Sequence, residues 1–389
     1  MDNPAAQPNK ASRRDLAQMI SHWRSWLPGH VGPDETVAAD QPAVEPYWAD
    51  QWTPDRLLDG AETLTYHLTD QPHLAEEGPG HLVTTLVRLR PPRHRRAVLY
   101  IHGWNEYFFQ RHVAEFWDEL GYDFYGVDLH RYGRSLQDGE LPGYIEAIED
   151  YYEELDACVD QIRPGHSVIG LIGHSTGGLT AALYAHDRPK TFAGVVLNAP
   201  WIDMQGSALF RALTPPVMKA LALASPTMAF PSASDNDLYG RTLHRDSYGE
   251  WDYDLTLKRH ESQPVRPGWL RAVTRGHDRV AEGLHIDCPV LMVTSARSSS
   301  VKQWCPEAVS TDLALDVDRL AARAHQLGWH VTLVRLAGAL HDVSLSALPV
   351  RQRFFDEIRR WDLAYVRGRG FQRGFEIDSV ADPGEADRT

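Results

Sequence analysis

Along the chain, short apolar runs alternate with stretches whose apolar residues recur at helical spacing. "HLVTTLVRLR" (81–90) predicts a strand, the polar "PPRHRR" a turn, and "AVLYIHG" (97–103) a buried strand. "RHVAEFWDELG" (111–121) predicts a helix stopped by glycine, and "YDFYGVDL" (122–129) the next strand. The segment Tyr144 to Ile162 is an amphipathic helix; "SVIGLIG" (167–173) is a strand, "GLTAALYAHD" (178–187) a helix, "FAGVVLNAP" (192–200) a strand. Further on come the strand "CPVLMVTSA" (288–296), the helix "VDRLAARAHQLG" (317–328), the strand "HVTLVRLAG" (330–338) and the closing helix "SALPVRQRFFDEIRRWDLAY" (346–365). Strands alternating with helices predict an α/β protein whose mostly parallel sheet carries helices on both faces.

The alternation stops between Trp201 and Ile286. "ALFRALTPPVMKALALASPTMAF" (208–230) is apolar and helical around a Pro pair; the residues after it are aromatic and polar. The stretch 201–286 is therefore expected to be an inserted helical cap, between a first core part (46–200) and a second (287–365). Residues 1–45, with one amphipathic patch at "DLAQMISHWRSWL", are expected to form an arm. Residues 366–389 are expected to be a mostly disordered tail.

Composition narrows the function classes. With 389 residues, 43% of them hydrophobic, the chain can bury a large core. A formal net charge of −14 argues against a grip on nucleic acid phosphates. Three scattered cysteines make neither a disulfide framework nor a zinc site, and no H-E-x-x-H pair occurs among the 19 histidines, so no metal is expected. Without an apolar signal core or a run of 18 apolar residues, the expectation is a cytoplasmic protein with no integral membrane segment. Oligomeric state is left open.

The chemistry centres on "GLIGHSTGGLTA" (170–181). Gly-x-Ser-x-Gly also arises by chance, but here Ser175 sits between a strand and a helix with almost no connecting residues. Such a turn strains the backbone; Gly173 and Gly177 remove collisions, and the hydroxyl is lifted to the carboxyl edge of the sheet, where ligands bind. A serine nucleophile needs a base and an orienting acid. His341, in "LAGALHDVSLS", follows the last strand and is the candidate base; a merely structural loop histidine is the alternative. The acid is expected at the end of "PVLMVTSA", but Arg297 stands there. Glu307, Asp312, Asp316 and Asp318 follow. The simplest account is an inserted loop of roughly fifteen residues that brings Asp312 back, with Asp316 and Asp318 as acids at a helix N-terminus. The amides of Thr176 and of Trp104, in "HGWNEY", are candidate oxyanion donors, unless His102–Gly103 is only a tight turn.

With these residues placed, the chain resembles the α/β-hydrolases, and within them the monoacylglycerol lipase and lysophospholipase-like serine hydrolases. Three stretches carry the likeness: "YIHGWNEYFFQRHVAEFWDELGYDFYGVDLHRYGRS", "GLIGHSTGGLTA" and "LAGALHDV"; it spans about residues 60 to 365. The resemblance implies hydrolysis of a small-molecule carboxylic ester through an acyl-enzyme on Ser175, with His341 as base, under a cap and with no cofactor. Arg297 at the usual acid position, Trp104 after His-Gly and Thr176 where Met is common all depart from the pattern. Trp104 and Trp201 are candidate substrate-binding residues, with Trp251 and Trp269 as further candidates for an apolar pocket. The same triad serves amides, lactones, thioesters or acyl transfer. A non-catalytic hydrolase fold that binds a ligand is the alternative of another class.

Overall fold

Strands form where apolar residues run unbroken, because helices cover both sides of the sheet they build. In the computed structural model, which describes residues 46–68, 74–77, 80–204, 221–230 and 237–367, the described residues lie within one unit, Val44–Thr389. Among the described residues ten strands make a single sheet: β1 (Tyr47–Trp48), β2 (Thr53–Pro54), β3 (Glu62–His67), β4 (Val83–Arg88), β5 (Arg96–Ile101), β6 (Asp123–Asp128), β7 (Val168–His174), β8 (Gly194–Asn198), β9 (Val290–Ser295) and β10 (Val331–Leu336). Their order is β1-β3-β4-β6-β5-β7-β8-β9-β10, with β2 paired to β3. β6, β5, β7, β8, β9 and β10 are mutually parallel; β4 runs antiparallel to β3 and β6.

Alternate side chains of the central strands enter two cores. Leu99 and Ile101 of β5 face one cluster while Val98 and Tyr100 face the other, and β8 divides Val195 and Leu197 from Val196 in the same way. Burying each such aliphatic side chain contributes about 1.5–3 kcal/mol. The first cluster is closed by α2 (Tyr152–Ile162), α3 (Thr176–Asp187), α5 (Pro267–Glu282) and α6 (Val317–Arg323). The second is closed by α1 (Arg111–Glu119) and α7 (Leu348–Trp361). This is the α/β-hydrolase arrangement expected from the residues: a mostly parallel sheet with helices on both faces. A shorter helix, α4 (Leu238–Leu243), lies in the stretch expected as cap.

Several details differ from the periodicity. The helix expected from Tyr144 starts with a 3-10 turn at Ile148, because Asp150 Oδ2 accepts the N–H groups of Glu146 and Ala147 and sets the helix start there. The closing helix runs on into a π-helical turn, Asp362–Val366, where buried Asp362 accepts the Tyr122 hydroxyl at 2.6 Å. Within the expected cap, Pro267–Glu282 puts Trp269, Val273 and Val280 into the first core. The expected arm, residues 205–220 and 231–236 of the expected cap, and the expected tail from 368 on lie outside the described residues. No described helix is long and apolar enough to cross a membrane.

Candidate active site

Ser175 is the single residue between the end of β7 and the start of α3, and it holds φ +53° and ψ −117°. A non-glycine residue there is strained by about 1–3 kcal/mol, so the surroundings must hold it. They do so through the backbone. Ser175 N–H donates to Asn198 O at 3.1 Å, and Ser175 O accepts from Gly178, Leu179 and Trp201. The flanking glycines are required by space. A Cβ on Gly173 would sit 2.3 Å from Gly177 O, and one on Gly177 2.2 Å from His102 O.

His341 lies on the loop between β10 and α7. Its Nε2 is 3.0 Å from Ser175 Oγ, and its Nδ1 is 2.9 Å from Asp312 Oδ2. With Nδ1–H donated to the carboxylate, Nε2 is left as the acceptor for the serine hydroxyl. Burial alone pushes the imidazole pKa down; Asp312, with Asp342 and Glu106 behind it, outweighs burial and holds it above the ordinary value.

Asp312 lies where the loop after β9 returns to the end of that strand. Its N–H donates to Arg297 O at 2.9 Å and its O accepts from Ser299 N at 2.8 Å, so the returning chain docks on the stub where Arg297 stands. Oδ1 accepts the amides of Ala314 and Leu315 at 2.7 and 2.8 Å, leaving Oδ2 to face His341. Asp316 and Asp318 are exposed instead. Asp316 caps α6, and Asp318 pairs with Arg335.

The loop after β5 abuts the serine, since a Cβ on Gly103 would be 3.1 Å from Ser175 Cβ. Gly103 N–H is already taken by Glu106 Oε2 at 2.9 Å. Among the described residues neither the Trp104 nor the Thr176 amide donates within the protein, which leaves both as donors for a ligand oxygen. The His102 ring ties this loop down, with Nδ1 2.8 Å from Gly103 O and Nε2 accepting Leu129 N–H at 3.2 Å.

The expected aromatic residues separate. Trp104 packs against Trp269 at 3.8 Å between centroids, and Trp201 lies 5.9 Å from Trp269. Trp269 lines a small cavity together with Gly103, Thr176, Tyr132 and Val273. Trp251 is elsewhere, stacked on His112 and under Arg351.

Residues without an obvious sequence signal complete the site. Asp342 Oδ1 accepts Asn198 Nδ2 at 2.7 Å and Ser344 Oγ at 2.7 Å, and so locks the loop carrying His341 to β8. Tyr239, from α4, accepts Asp342 N–H at 3.2 Å, and its ring lies 5.6 Å from that of His341. Buried Glu106 pairs with buried Lys258 at 3.0 Å. Asp342 was findable as the neighbour of His341 and Glu106 as part of "HGWNE"; nothing in the sequence marks Lys258.

Comparison with known proteins places the chain in a family. The sequence model of the family described as serine aminopeptidase, S33 (Hydrolase_4), matches residues 92–342. Phospholipase YtpA of Bacillus subtilis (strain 168) is 31% identical over 130 residues, which are 33% of this chain and 46% of that protein. The match therefore spans about half the length of that relative. A soluble variant of monoglyceride lipase from Saccharomyces cerevisiae, solved with a substrate analog, superposes with TM-score 0.50 and 16% identity, over 82% of this chain and 96% of that one. DcsB, in complex with its substrate analogue, gives TM-score 0.54 and 17% identity over 74% and 96%. At those identities the two structures speak to the fold alone. On the family match, which takes in well over half of its residues, the chain belongs to the serine aminopeptidase, S33, family, a family of serine hydrolases on the α/β-hydrolase fold.

Proposed function

We propose that the protein hydrolyses carboxylic esters of small molecules through an acyl-enzyme on Ser175. The observation that carries this reading is the continuous chain Ser175 Oγ, His341 Nε2, His341 Nδ1, Asp312 Oδ2, with separations of 3.0 and 2.9 Å, on a strained strand-to-helix turn.

In this reading His341 takes the Ser175 proton as Oγ attacks the ester carbonyl, and Asp312 stabilises the imidazolium. The amides of Trp104 and Thr176 hold the developing oxyanion. His341 then returns the proton to the leaving alcohol. A water deprotonated by His341 attacks the acyl carbon and releases the acid. Trp104, Trp201 and Trp269 form the apolar wall for an acyl chain or aryl group. The cap is the stretch 201–286, of which the helix Pro267–Glu282 also packs its Trp269, Val273 and Val280 into the first core. Support from a relative comes from the name phospholipase, an ester hydrolase.

The family's description favours a second reading, cleavage of an amide bond at a peptide N-terminus by the same residues. Hydrolysis of p-nitrophenyl esters from acetate to palmitate, beside aminoacyl p-nitroanilides and with a Ser175→Ala control, separates the two. Serine-dependent ester cleavage with anilides untouched is the expected result. Anilide turnover exceeding every ester would replace the ester reading with the peptidase one.

A further inference from the structure

Four consecutive residues of the loop after β5 bond to one short segment far along the chain. Trp104 Nε1 donates to Ser262 Oγ at 3.0 Å. Asn105 Nδ2 donates to Arg259 O at 2.7 Å, while its Oδ1 accepts Arg259 N–H at 3.3 Å. Glu106 Oε1 receives Lys258 Nζ at 3.0 Å, and the Tyr107 hydroxyl accepts Asp254 N–H at 2.8 Å. From Trp104 to Tyr107, every side chain is thus fastened to Asp254–Ser262.

The anchor is ionic and dry. The Lys258 and Glu106 side chains are 7% and 1% exposed, and the ammonium lies beside the paired rings of Phe109 and Tyr253, 5.8 and 5.7 Å from their centroids. A carboxylate this buried persists as an anion only with a counter-charge. Burial pushes the Glu106 pKa up; Lys258 first, then His174 and the Gly103 N–H, outweigh it and hold the carboxyl below its usual range. Its Oε2 meanwhile fixes Gly103 N–H, the amide directly before Trp104.

We propose that the segment Asp254–Ser262 is a clamp that sets the position of the Trp104 amide, with Lys258 and Glu106 as its positioning residues. The inference rests on the reading of that amide as an oxyanion donor. It makes the oxyanion hole a joint product of the sheet edge and of a segment from the expected cap, so full turnover requires the segment to be seated.

The test is Lys258→Met, which keeps the apolar stem and removes the charge. Circular dichroism and melting first establish that it folds. Three quantities are then read: kcat and KM on the preferred p-nitrophenyl ester, and the Ki of a trifluoromethyl ketone of the same acyl chain, whose adduct on Ser175 places an oxyanion in the hole. The expected result is a kcat lower by about 10- to 100-fold with KM changed by less than about threefold. The ketone Ki should weaken by a similar factor, Lys258→Arg should recover most of the loss, and adding Glu106→Gln to Lys258→Met should cost less than the sum of the two changes. A folded Lys258→Met with kcat and ketone Ki unchanged, or with KM raised at constant kcat, overturns the proposal. If Lys258→Met does not fold, Asn105→Gly decides by the same readouts, because glycine accepts the φ of +53° at that site. Its expected loss is about 3- to 10-fold in kcat and in the ketone Ki, and no loss in either overturns the proposal. A wild-type protein that neither cleaves ester nor takes up a fluorophosphonate on Ser175 overturns the function proposed above and this inference with it. A wild type that does both, beside a variant that matches it, overturns the inference alone.

Discussion

Two buried imidazoles stand side by side in the site, His341 and His174, with ring centroids 4.9 Å apart. They share the same dry surroundings, yet their pKa values move in opposite directions. His341 has Asp312 within hydrogen-bond distance, and the carboxylate overcomes burial and raises it. For His174 burial dominates and lowers it. Its nearest carboxylate, Glu106, is 3.9 Å away and already paired with Lys258, and its Nδ1 lies against Asn198 O. What separates a candidate base from a structural neighbour here is where each carboxylate's charge is already spent. The same division runs through the whole site. His341 faces the serine and Asp312 faces His341, whereas Glu106, Lys258 and Asp342 hold loops.

That contrast can be broken at several points. The largest effects belong to the reacting side. Ser175→Ala should lower kcat by about 10⁶, and Asp312→Asn, which leaves the geometry but not the charge, by about 10⁴. Steady-state kinetics with active-site titration checks both, and an active Asp312→Asn beside a dead Asp316→Asn would move the acid one helical turn.

On the holding side, Asn198→Ala removes one partner of buried Asp342. It should destabilise the protein by about 1–3 kcal/mol, read by denaturant melts, while costing far less turnover than Asp312→Asn.

The pH dependence follows from the raised His341 value. The base must be neutral, so kcat/KM should fall as pH drops through a value above about 6.5, the ordinary imidazole range. The folded state binds that proton more tightly than the unfolded chain. The His341 contribution to stability is therefore present below the unfolded value and lost as pH rises through the folded one. Activity and this part of the stability should move in opposite directions with pH, and NMR titration should find His174 on the low side of the ordinary range. The smallest effect is Asp316→Ala, expected to cost about 1 kcal/mol of helix capping with kcat unchanged.

The core elements from β4 to β8 and from β9 to α7 were legible because strands buried on both faces leave unbroken apolar runs, and helices between them keep their period. β1 to β3 were not, being short or half-exposed at the sheet edge. β3 carries only the weak alternation of Leu64 and Tyr66 with Thr63 and Thr65. Helix α5 leaves only a weak period in the sequence because its apolar positions are interrupted by Arg271, Arg275 and Arg279, although Trp269, Val273 and Val280 share its buried face. Ser175 and His341 announced themselves by their places after strands. Asp312 was reachable by noticing Arg297 where a carboxylate was due and asking which acid the loop could return.

From the residues alone came the layered α/β architecture, the strained serine turn and the three residues expected to act on it, because periodicity and glycine spacing are local properties of a chain. Tertiary structure decided what no local pattern carries. It set the distances that join Ser175, His341 and Asp312, the docking of Asp312 on the Arg297 stub, and the pairing of Glu106 with Lys258, 152 residues away. An ion pair is formed by charges that meet in space. Its members have no preferred spacing along the sequence, so only the fold can bring them together.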